Sequence, residues 1–88
     1  MDEIAITPQT EGTFLVRIGE GAGATKHRVT VPKEYFEKFS GKFATPEDFV
    51  RASFEFLLAR EPKESILHEF SIEVIARYFP EYEQELLK

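Results

Sequence analysis

The chain has 88 residues, a formal net charge of −5 and no cysteine. That length fits one domain, read here as residues 1–88 with a β part over 1–31 and a helical part over 32–88, and a core of modest size. The missing cysteine excludes disulfides, thiolate catalysis and cysteine-ligated zinc, so stability rests on packing.

The opening stretch MDEIAITPQT carries acids where a secretory leader carries bases, and no run reaches the roughly 20 apolar residues of a membrane span. These features point to a cytoplasmic protein with no membrane role. Residues 1–44 hold six acids and six bases, whereas 45–88 hold ten acids and five bases and supply the whole net charge. Between Lys26 and Lys42 five bases face two acids, so an anionic partner would meet the first half of the chain.

In chain order, Glu3–Thr7 alternates weakly and is expected to form a short strand ending at Pro8. Thr13–Ile18 (TFLVRI) places Phe14, Val16 and Ile18 on one face, as a half-buried strand does. The glycines at 19, 21 and 23 suit a hairpin loop, because glycine takes positive φ at little cost. Lys26–Val31 then alternates strictly, with His27, Val29 and Val31 facing one way and Lys26, Arg28 and Thr30 the other. The loop lacks the Gly-Lys-Ser/Thr ending and the following helix of a phosphate loop, and reads as a hairpin turn.

Pro32 opens a short helix over KEYFEKF, stopped at Ser40-Gly41. Thr45-Pro46-Glu47-Asp48 is a strong helix start: a capping hydroxyl, proline in the first turn and acids at the positive end. The helix it opens is expected to reach about Arg60. Its polar stripe is Asp48, Arg51 and Glu55, and apolar residues cover most of the rest, which marks the central helix. Glu64–Phe70 and Ser71–Phe79 are expected to be helical, with a break near Ser71 and a Glu73–Arg77 pair on the second piece. After Pro80, EYEQELLK reads as a polar last turn or two that frays. Strands followed by helices make the fold class α+β, with an N-terminal antiparallel sheet of two to three strands and three to four helices.

No catalytic, cofactor or metal constellation emerges. His27 and His68 show no metal-ligand spacing, and no serine pairs with a base in sequence. Nine Phe and three Tyr are a heavy aromatic load, each buried ring removing roughly 150–250 Å² from water. This load suggests a homodimer that shares part of its core. Tyr78, Phe79 and Tyr82 around Pro80 are candidate contacts with a protein partner, since aromatics enrich interface centres.

Lys26, Arg28 and Thr30 on one strand face, followed by two helices, resemble over residues 26–60 the ribbon-helix-helix family of bacterial repressors and antitoxins. The resemblance implies that these three side chains read base edges in the major groove, with the Thr45–Asp48 turn at the DNA backbone. Against it, the first helix is too short, the strand has an upstream hairpin partner, and Glu47 and Asp48 would face phosphate. The C-terminal stretch EPKESILHEFSIEVIARYFPEYE resembles the closing segment of short uncharacterised bacterial proteins, which implies no activity. The expected function is a small non-catalytic interaction or regulatory module acting through a protein partner, with a DNA-binding regulator as the alternative.

Overall fold

In the computed structural model, which describes residues 3–88, three N-terminal strands form an antiparallel meander. These are β1 (Ile4–Thr10), β2 (Thr13–Ile18) and β3 (Thr25–Thr30). The β1–β2 turn uses Gly12 at φ 78°, and the β2–β3 loop uses Gly19 at φ 89° and Gly21 at φ 66°, where a Cβ would be strained. β1 runs past Pro8 because it is an edge strand, where a missing N–H costs no ladder bond, and its register shifts between Pro8 and Thr10.

Helix α1 (Lys33–Glu37) is short, and α2 (Pro46–Leu58) follows a loop. The α2 start forms as its sequence dictates: the Thr45 hydroxyl accepts from the Asp48 amide at 3.1 Å. Thr45→Ala leaves that amide without its cap, and a loss of about 1 kcal/mol is expected, read as a midpoint roughly 4–8 °C lower in thermal unfolding. An unchanged midpoint would mean that Pro46 and the acids suffice to start the helix.

The stretch expected to be helical from Glu64 is instead a fourth strand. A 3-10 turn over Lys63–Ser65 leads into β4 (Glu69–Ser71), which lies parallel to β3 with Arg28, Val29 and Thr30 opposite Glu69, Phe70 and Ser71. The sheet is therefore four-stranded and mixed, in the order β1-β2-β3-β4. Its cause is the outer edge of β3, whose Arg28 amide donates to the His68 carbonyl at 2.7 Å. A chain passing that edge gains more from pairing with it than from its own marginal helix propensity. A 3-10 turn over Ile72–Val74 and helix α3 (Ile75–Tyr78) follow, so Ser71 ends a strand where a break between two helices was expected. Glu73 accepts from the Ser71 hydroxyl at 3.1 Å, in a turn too tight to hold the expected alignment with Arg77.

The last segment, α4 (Tyr82–Leu86), buries Tyr82 and Leu86, which corrects the expectation of a fraying polar turn. Arg60 fixes its start. The guanidinium lies 3.6 Å from the Phe56 ring centroid and 3.3 Å from a Glu81 carboxylate oxygen.

α2 lies against one face of the sheet, where Val16, Ile18, Val29, Phe49, Val50 and Phe54 are fully buried. Arg51 reaches the Ile4 carbonyl at 2.9 Å and closes part of the β1 edge. None of the nine phenylalanines is exposed: they are buried or half-buried against the core of this single chain. The aromatic load that suggested a shared dimer core thus has a place within one molecule.

Candidate interaction surface

Two surfaces carry the residues singled out in the sequence. The first is the open face of the sheet. Lys26, Arg28 and Thr30 all lie exposed on it, because alternation turns His27 and Val29 inward. Register sets Arg28 between Leu15 and Glu69, and Lys26 beside Arg17.

On this face Arg28 is matched by a carboxylate. Arg28 lies 3.6 Å from the Glu69 carboxylate and donates to Gln9 at 3.1 Å. Near Arg17, Glu3 and Glu20 meet; their shared hydrogen bond and the Glu20 charge hold the Glu3 carboxyl above its ordinary value, with Arg17 opposing. β3 has a neighbour on each side, β2 along its length and β4 along Arg28–Thr30, so that stretch of its outer edge is already paired.

The second surface is an apolar groove of about 380 Å³ between the C-terminal end of α2 and the segment from Ser65 to Phe79. Leu57 forms its floor with Phe70 and Val74, and Leu67, Tyr78 and Phe79 stand along it. Glu61 is its one charged lining residue. Two of the three large apolar side chains exposed among the described residues belong to it, Tyr78 at 67% and Leu67 at 48%. The sequence singled out Tyr78 and Phe79; Leu57, Leu67, Phe70 and Val74 carried no signal distinct from core.

Phe79 is half-buried, packed edge-on against Phe56 with centroids 5.8 Å apart. Tyr82 is not at this surface. It is fully buried, its ring 5.2 Å from Phe56, and its hydroxyl lies 2.6 Å from Ser53 Oγ. Ser53 Oγ donates its hydrogen to the Phe49 carbonyl at 2.8 Å, so Tyr82 is the donor in the pair. Burial pushes the Tyr82 phenol well above its ordinary value. The expected partner contact is therefore a core residue, held there by a polar handle that no near neighbour in sequence supplies.

Nearby, the Tyr35 hydroxyl donates to Glu83 at 2.7 Å, and burial first, then that bond, raise its phenol in the same way. Among the described residues no buried side-chain nitrogen or oxygen lacks a partner, and no cluster of three or more His, Cys, Asp or Glu could hold a metal ion. No helix among them is long and apolar enough to cross a membrane. What the groove offers chemically is apolar area with one carboxylate.

No family model, no curated protein and no solved structure matches the chain.

Proposed function

We propose that this protein is a non-catalytic interaction module that takes a short apolar segment of a partner protein, bearing a basic residue, into the groove beside β4. The observation that carries the reading is the groove itself, with Tyr78 and Leu67 exposed along an apolar floor. An exposed tyrosine beside a pocket is the usual anchor of a binding surface. Glu61 supports a cation on the incoming segment, since it is the groove's one charge and would gain an opposite charge there.

A second copy of the chain is the weaker occupant. A stable interface buries about 1,200–2,000 Å² in total, and Leu67 and Tyr78 are the two large apolar side chains exposed at this groove. The phenylalanines that called for a shared core are already used. Light scattering is expected to report a monomer at micromolar concentration; a dimer dissociated by Tyr78→Asp would make the second copy the occupant instead.

The test is selection of random displayed peptides against the immobilised protein, followed by amide shift mapping with a selected peptide. Enriched sequences should pair bulky apolar residues with Lys or Arg, and the shifts should centre on Leu67, Phe70, Val74 and Tyr78. Tyr78→Ala should weaken that peptide at least tenfold, about 1.4 kcal/mol or more, while stability changes by less than about 0.5 kcal/mol. Shifts confined to Lys26, Arg28 and Thr30, or salt-sensitive binding of duplex DNA lost in Arg28→Ala, would move the function to the open sheet face.

A further inference from the structure

The two histidines of the chain meet where β4 joins β3, and each holds the other's strand. His27 Nδ1 donates to the Leu67 carbonyl at 2.8 Å, and His68 Nδ1 donates to the Lys26 carbonyl at 3.0 Å. Carbonyls only accept, so both Nδ1 atoms carry hydrogen. His27 Nε2 lies 2.9 Å from the Thr25 hydroxyl and is the acceptor of that bond in the neutral ring. The two rings lie nearly parallel, 10° apart in tilt with centroids separated by 5.4 Å. Phe54 of α2 covers the buried His27 ring at 5.6 Å, whereas His68 is exposed.

This geometry suits two neutral imidazoles. A proton on His68 sets a full charge beside a stacked ring, and a second on His27 would put two cations in parallel contact inside the sheet. The segment so clamped carries Leu67 and Phe70, which line the groove.

We propose that the His27–His68 pair is a proton-operated latch: acidification releases residues 67–71 from β3 and dismantles that side of the groove while the rest of the molecule stays folded. As regulation of binding the latch rests on the groove reading above, but its opening is measured without any partner.

The surroundings isolate the pair. Lys26 and Arg28 of β3 extend from the opposite face, and Glu69 pairs with Arg28 there at 3.6 Å. β2 sets Val16 opposite His27, and α2 sets Phe54 over it, both uncharged. His68 is thus the titratable group in ring contact with His27. Burial holds His27 below the ordinary value of 6.5, the Leu67 bond opposes this, and the His68 charge lowers it further. The direction of linkage follows. Below pH 6.5 the opened segment binds a proton that the closed one refuses, so closure is complete above that value and weakens as pH falls toward the folded-state pKa of His27.

Amide hydrogen exchange by NMR at pH 7.5 and 5.0, corrected for the intrinsic effect of pH, tests the latch. The reporter is the Arg28 amide, which donates to the His68 carbonyl at 2.7 Å. Its protection is expected to fall tenfold or more at pH 5.0, while amides of β2 and α2 fall less than threefold. In His68→Gln, which keeps a donor but removes the neighbouring ring and its charge, the fall at Arg28 should be smaller than in the parent protein, with burial of His27 retaining part of it. Unchanged Arg28 protection in the parent protein, a fall in step with β2, or an undiminished fall in His68→Gln would each overturn the proposal. A protein that opens on this schedule but selects no groove-binding peptide at pH 7.5 would retain the latch and lose the binding role.

Discussion

Phe49→Ala is expected to remove about 3–5 kcal/mol of stability, the cost of a fully buried phenylalanine whose cavity does not collapse. Phe49 is the centre of a ring cluster. Phe39 stacks on it at 4.5 Å, and Phe36, Phe43 and Tyr35 surround it at 5.8, 5.7 and 6.2 Å. Phe49 is the ring that α2 supplies, and the other four come from α1 and the loop after it, so the cluster fastens residues 35–43 to the central helix. A chain of this length holds roughly 4–13 kcal/mol in all, so the substitution leaves little in reserve. The thermal midpoint should fall by at least about 12 °C, and urea should report a lower transition midpoint. A loss below about 1 kcal/mol would mean that the surrounding rings close over the gap and that no single ring anchors the 33–43 segment.

The cluster also explains which parts of the fold could be read from sequence. α2 was legible because its start is chemically local: Thr45 caps Asp48 three residues away, and proline fixes the first turn. β2 and β3 were legible because strict alternation over six residues each meets a glycine loop with positive φ. β4 was not, for a physical reason. A strand of three residues has no periodicity of its own, and its partner β3 lies some forty positions earlier. Over so short a span, an apolar pattern such as Ile66, Leu67 and Phe70 satisfies helix spacing as well as it satisfies a strand. The extension of β1 beyond Pro8 was hidden similarly, since proline ends a central strand but is tolerated at an edge, and edge position is a tertiary fact.

The surfaces divide along the same line. That Lys26, Arg28 and Thr30 share an exposed face follows from alternation alone, and the face exists. That Glu69 neutralises Arg28 could not follow, because the pairing needs β4. Tyr78 and Phe79 drew notice as aromatics beside a proline, but the groove they border is made with Leu57 and Phe70, whose apolar character in sequence is that of any core residue. The histidine latch was equally invisible. Each histidine looked unpartnered because its partner is a backbone carbonyl or a ring about forty residues away.

Tyr82 separates core from interface most sharply, and its substitution is the other large effect expected. Tyr82→Ala removes a fully buried ring that touches Phe56 at 5.2 Å and Phe39 at 6.5 Å, and it leaves Ser53 without its donor. About 3–5 kcal/mol should be lost, as for other buried aromatics cut back to alanine. Tyr82→Phe isolates the hydroxyl: the ring stays, Ser53 still donates to the Phe49 carbonyl, and only the bond from the phenol goes, costing about 1–2 kcal/mol. Ser53→Ala should cost at least as much, because it strands the Tyr82 hydroxyl in the core without an acceptor. In a double-mutant cycle the two single losses should therefore exceed the loss in the double variant, since the second change removes a group that the first has already orphaned. A surface tyrosine would behave in the opposite way, with stability nearly unchanged and partner affinity reduced, which is the pattern expected of Tyr78→Ala. Additive losses at Ser53 and Tyr82, each under about 0.5 kcal/mol, would mean that the hydroxyl reaches water and that α4 is held to α2 by Leu86 and the Arg60–Glu81 pair instead.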